Sequence, residues 1–122
     1  MNSELNIPER SFLFAVRIVR LCQFLEQKDR VSKTLAIQLL RSGTSIGANI
    51  EEAQAGHSKA DFTAKMSIAR KEARETHYWL RLLVSAELIP VAKVNELLQE
   101  ADELIRILTS IVKSAQTRNR HD

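Results

Sequence analysis

Three glycines and two prolines are all that this 122-residue chain offers for turning. An all-β domain needs a turn every eight to twelve residues or so. Gly43, Gly47, Gly56, Pro8 and Pro90 cannot supply that many, so the long stretches between them must run as helices. The length suits one domain. With 44% hydrophobic residues the chain can bury a real core, although a domain this small gains from self-association.

The punctuation places four helices, over about residues 8–27, 33–55, 59–88 and 91–114. Pro8 suits a first helical turn behind an Asn6 cap. The helix that follows is apolar most of the way round, with Arg10, Arg17, Arg20, Gln23 and Gln27 as a narrow wet stripe. It should be covered on more than one side. Ser32 can cap the second helix, whose core stripe is Leu35, Leu39, Ser42, Ile46, Asn49 and Ala53. Gly43 and Gly47 lie on the adjacent face, where each costs about 1 kcal/mol against alanine. Either a neighbouring helix approaches closely there or the helix kinks. Ser58 and Asp61 open the third helix as a capping box, with a core stripe of Phe62, Met66, Ala69, Ala73, Thr76, Leu80 and Leu83. Pro90 starts the fourth, striped by Val94, Leu98, Ala101, Ile105, Leu108 and Val112. Residues 115–122 are polar and basic, and should fray.

Four amphipathic helices with short connections pack most simply as an all-α, antiparallel up-down-up-down bundle occupying residues 1–122 as one domain. No apolar run approaches the roughly 18 residues of a membrane span, and the N-terminus lacks a secretion-signal pattern. A lone Cys22 allows no internal disulfide, and the chain is expected in a reducing cytoplasm.

Little here resembles reactive chemistry. A di-metal carboxylate bundle needs Glu-x-x-His pairs, because residues three apart share a helix face. Glu75 and His77 are two apart, and no such pair exists. Cys22 sits on the apolar side of its helix, where a free cysteine behaves as a small hydrophobe. There is no phosphate loop and no zinc-type Cys/His cluster. The expectation is a non-enzymatic protein with no cofactor and no metal, a metal-binding bundle enzyme being the remotest alternative.

The charge pattern is more suggestive. The net charge is only +3, but the fourth helix is acidic, so the positive charge gathers elsewhere. Arg17 and Arg20 share a stripe of the first helix, and Arg74 and Arg81 flank Tyr78 on the third. Arginines beside an aromatic can hold phosphate and stack bases, whereas a solvated face with local salt bridges would look the same. Arg118 and Arg120 in the tail complete the set of candidate nucleic-acid contacts. A bundle buries about one stripe per helix, so the apolar surplus of Phe14 and Ile18, and of Ile68, Trp79 and Leu82, is expected at an interface between copies. Asn49 on the core stripe would need a hydrogen-bond partner if buried, and is expected near Arg41, Glu52 and Glu75 in a polar network. At the edge of the stripe it would simply be wet.

The run from Arg41 to Ala55 (Arg-Ser-Gly-Thr-Ser-Ile-Gly-Ala-Asn-Ile-Glu-Glu-Ala-Gln-Ala), then Ser58 to Phe62 and Met66 to Leu83, resembles the four-helix-bundle family of the 23S rRNA intervening-sequence protein. Arg41, Ser45, Ile46, Asn49, Ile50, Glu52, Phe62 and Glu75 carry the match. Ala53 stands where many members have glycine. The resemblance implies a bacterial, cytoplasmic protein that assembles as a barrel-like homopentamer. A related group, the accessory variability determinant of diversity-generating retroelements, partners a reverse transcriptase and its RNA. The expected role is therefore a self-associating scaffold or RNA-associated protein, with an adaptor for a nucleic-acid enzyme such as a reverse transcriptase as the alternative.

Overall fold

Asn6 sets the first helix by accepting the Glu9 backbone N–H on its side-chain oxygen at 3.0 Å, with Pro8 in the first turn. This is a capping arrangement that satisfies one of the orphan donors at a helix start. The computed structural model describes residues 6–121, with side chains described as far as Arg118. In it the chain forms α1 (Ile7–Glu26), α2 (Arg30–Gln54), α3 (Lys59–Ser85) and α4 (Val91–His121). Among the described residues there is no strand, and the all-α expectation stands.

Two boundaries move for local reasons. Asp29, and not Ser32, caps α2: its carboxylate accepts the Ser32 N–H at 2.8 Å and the Ser32 hydroxyl at 3.1 Å. Those bonds hold the Asp29 carboxyl below its ordinary pKa, and Ser32 is itself buried. α3 stops at Ser85, before the expected position 88, because Glu87 adopts a left-handed φ of 60°. The Leu88 N–H then reaches the Leu83 carbonyl and the Glu87 N–H the Val84 carbonyl, both at 3.0 Å. This is the paired closure of a Schellman motif. Ser58 caps α3 as expected, accepting the Asp61 N–H at 3.0 Å. The segment from residue 115 on, expected beyond the last helix, continues α4 to His121, and Ala115 is buried. No glycine or proline follows Pro90 to stop it.

α1 packs on α2, α2 on α3 and α3 on α4, while α1 and α4 meet more sparsely. The α1–α2 approach is made possible by glycine. A Cβ on Gly43 would lie 2.7 Å from Ile18 Cγ2, and one on Gly47 3.2 Å from Ser11 Oγ. α2 runs through both positions as a single helix, so close approach explains them and no helix break is involved. The core layers are Phe14, Ile18 and Leu25; Leu39, Ile46 and Ile50; Met66, Leu80 and Leu83; and Val94, Leu104 and Leu108. Within it the hydroxyls of Ser42 and Thr76 are hydrogen-bonded at 2.9 Å across α2 and α3. A buried polar pair satisfied in this way avoids the desolvation penalty of an orphaned hydroxyl.

Cys22 is buried on this apolar side, its Sγ 3.5 Å from the Ala36 carbonyl. Burial pushes the thiol pKa from 9.0 up to about 11. The folded state therefore favours the protonated thiol, and that preference is lost as pH rises from 9.0 toward about 11. The thiolate is the reactive species, so at pH ~8 disulfide-reagent labelling should be about a hundredfold slower in the native protein than in urea. Equal rates would show that Cys22 is solvent-accessible.

Candidate nucleic-acid interface

The outer face of α3 carries Arg74, Tyr78 and Arg81, all exposed and spaced four and three apart on one side of the helix. The Arg81 guanidinium lies 5.9 Å from the centre of the Tyr78 ring, and that ring meets Trp79 edge-on at 5.1 Å. Neither Arg74 nor Arg81 forms an ion pair among the described residues. Their charge is therefore available to a ligand phosphate.

The arginines of α1 have a different fate, because that helix faces the acidic α4. Arg10, expected on the wet stripe, is 6% exposed. It grips the buried Glu100 with two hydrogen bonds, at 2.9 and 2.6 Å, and reaches Glu103 at 2.5 Å. Glu100 pushes the Arg10 guanidinium still higher in pKa, and Arg10 in turn holds Glu103 below the ordinary carboxylate value. Arg17 pairs with Glu96 at 3.1 Å. Arg20 remains exposed and unpaired among the described residues. Sequence reasoning missed the Arg10–Glu100 pair, although a signal existed. Arg10 recurs with Phe14, Ile18, Leu21 and Leu25, and Glu100 with Leu97, Leu104 and Leu108, on the buried faces of their helices.

The predicted contacts thus fall in three places. Arg17 and Arg20 border α4, and Arg74, Tyr78 and Arg81 line the outside of α3. Arg118 lies beside His57, Lys59 and Phe62 at the start of α3. Arg120 lies outside the described side chains.

Two of the residues that carried the resemblance, Arg41 and Glu75, form a clamp between α2 and α3 together with Glu72. Arg41 reaches Glu72 at 3.2 Å and also pairs with Glu75. Glu75 in turn accepts the Trp79 indole N–H at 3.2 Å. Ser45 donates to the Arg41 carbonyl at 2.6 Å and Asn49 to the Ser45 carbonyl at 2.8 Å, four residues apart each time. Asn49 is therefore half-buried and bonded within its own helix, and the expected network with Arg41, Glu52 and Glu75 does not include it. Ile50 takes the buried place beside it, and Glu52 is exposed.

The apolar surplus is also redistributed. Phe14 and Ile18, expected between copies, are fully buried in the monomer core and offer no surface. Of the other expected interface residues, Ile68 is exposed while Trp79 and Leu82 are half-buried. The larger exposed apolar side chains are Phe12 at 58% and Ile37 at 61%, with Leu13, Val31 and Leu40. Phe12, Ala15, Thr44 and Ala48 line a groove over Gly47 on the outside of α1 and α2.

Among the described residues no three His, Cys, Asp or Glu side chains are grouped to hold a metal ion. No described helix is long and apolar enough to cross a membrane.

No curated protein matches the chain. It is similar to a crystal structure from Bacteroides thetaiotaomicron, described as a protein with unknown function from the S23 ribosomal protein family. The identity is 46% and the TM-score 0.82, over 88% of this chain and 99% of that one. The family profile of the 23S rRNA-intervening sequence protein matches residues 3–110. With that profile spanning the bundle from α1 into α4, the chain belongs to the 23S rRNA-intervening sequence protein family.

Proposed function

We propose that this protein is a non-enzymatic, self-associating cytoplasmic scaffold that engages RNA through the outer face of α3. The observation that carries the RNA reading is the exposed Arg74–Tyr78–Arg81 stripe, whose cations have no acidic partner among the described residues. Phosphate contacts of this kind give affinity with little sequence preference. Self-association is supported by Phe12, Leu13, Ile37 and Leu40, large apolar side chains left uncovered by the bundle. Closing a ring, a homopentamer as the family resemblance implies, would repeat the weak stripe of each chain and raise avidity without any strong single site.

The tests are a mass measurement and a salt titration. Light scattering at micromolar concentration should give a multiple of the 13.9 kDa chain. A monomer mass would rule out the scaffold. Arg74→Glu/Arg81→Glu should weaken binding of a structured RNA at low salt and reduce the salt slope by about two. An unchanged slope and affinity would reduce the stripe to an ordinary solvated face. If the protein instead binds no RNA but copurifies with a reverse transcriptase or another nucleic-acid enzyme, the adaptor reading replaces this one.

A further inference from the structure

The sparse seam between α1 and α4 leaves a groove lined by Arg17, Arg20, Leu21, Phe24, Lys93 and Leu97. Its floor is apolar, since Leu21 and Leu97 are buried. Phe24 lines it from the end of α1 and is 39% exposed. The Lys93 ammonium sits 4.1 Å from the centre of that ring and the Lys28 ammonium 5.9 Å from it. Lys28 is also tied to the Leu88 carbonyl, and Arg17 to Glu96. Arg20 and Lys93 therefore remain as the cations a ligand can recruit.

We propose that this groove is a binding site for one unpaired nucleotide of single-stranded RNA, its base stacked on Phe24 and its phosphates held by Arg20 and Lys93. The proposal rests on the RNA reading above and adds a second contact, between α1 and α4. The chemistry favours a base over other occupants. An acidic peptide would satisfy Arg20 and Lys93 but make no use of the exposed ring. A duplex hides its base faces within the stack, whereas an unpaired base can enter a narrow groove and stack on an aromatic. In the free protein the Lys93 ammonium occupies the ring face as a cation–π partner. When a base arrives, the flexible lysine swings off the ring to the phosphate, so one contact is exchanged for two.

The experiment measures anisotropy of a short labelled adenine-rich single strand and of a duplex of equal length. The proteins are wild type, Phe24→Ala, Phe24→Trp, Arg20→Ala/Lys93→Ala and Arg74→Glu/Arg81→Glu, each checked for helicity by circular dichroism. Phe24→Ala should weaken single-strand binding about tenfold with an unchanged salt slope, while duplex binding is unaffected. Phe24→Trp should retain affinity, and its added fluorescence should be quenched on binding. Arg20→Ala/Lys93→Ala should flatten the salt slope by about two. RNA binding that falls with Arg74→Glu/Arg81→Glu but is indifferent to Phe24→Ala and to Arg20→Ala/Lys93→Ala overturns this site and leaves the α3 reading standing. Equal competition by polyglutamate with no effect of Phe24→Ala also overturns it. Wild type that binds no RNA at low salt overturns the parent reading and this one with it.

Discussion

Arg10→Ala is expected to destabilise the bundle by about 3–5 kcal/mol, the cost of breaking a buried ion pair by removing one partner. That is a large share of the roughly 5–15 kcal/mol by which a small domain is stable. The magnitude follows from where the survivor is left. Glu100 is 3% exposed and receives both of its carboxylate oxygens' bonds from Arg10. Without the guanidinium it must sit charged in a low-dielectric interior or take up a proton. The removed guanidinium is itself 6% exposed, so its truncation leaves the carboxylate facing a site closed off by the surrounding side chains. Arg10→Met/Glu100→Leu should recover most of the loss, since a well-packed apolar pair of similar volume often matches or exceeds a buried ion pair. Urea denaturation of the three variants checks this. A loss under about 1 kcal/mol for Arg10→Ala would place the pair in the class of surface bridges.

The second carboxylate that Arg10 reaches, Glu103, has a pH signature. Arg10 holds the Glu103 carboxyl below its ordinary value of 4.5. A depressed carboxylate pKa stabilises the fold above the unfolded-state value, and that contribution is lost as pH falls through the folded-state value. The acid limb of the wild-type stability curve should therefore flatten in Arg10→Ala.

The second large effect is a coupling. Ile18→Ala should cost about 2–5 kcal/mol as a core truncation. Gly43→Ala alone should also destabilise, because its new methyl would meet Ile18 Cγ2 at 2.7 Å, Cγ1 at 3.0 Å and Cβ at 3.2 Å. These atoms lie at the branched base of the side chain, which cannot swing aside. Overpacking of about 1–3 kcal/mol then exceeds the roughly 1 kcal/mol that alanine gains over glycine in a helix. In the Ile18→Ala background the two closest contacts are gone, only the residue-18 Cβ remains at 3.2 Å, and the methyl fills part of the cavity, so Gly43→Ala should become close to neutral or stabilising. Thermal or urea unfolding of the four proteins gives the interaction energy. If Gly43→Ala stabilises the wild type, the helices are not in the contact described.

Helix content, helix number and most core stripes were legible in the chain, because periodicity and punctuation are local properties. The stripe from Met66 to Leu83 is buried as its spacing predicts, and Asn6 and Ser58 cap the helices they precede. The residues of the family match were legible too, although their geometry was not. Arg41 clamps Glu72 and Glu75 across α2 and α3, while Asn49 bonds only its own helix.

What periodicity could not decide was which side of a nearly all-apolar helix would be covered. On α1, Phe14 and Ile18 turned inward while Phe12 and Leu13 stayed exposed, and a pattern apolar on every side does not distinguish them. Charge misled in the opposite direction. Arg10 read as a solvated residue because arginine is rarely buried unpaired. The glutamate that permits its burial lies 90 residues away on α4, and only the tertiary structure brings the two together. The groove around Phe24 has the same origin. Its aromatic is on α1 and its lysine on α4, so it exists only because the chain closes its first helix loosely against its last.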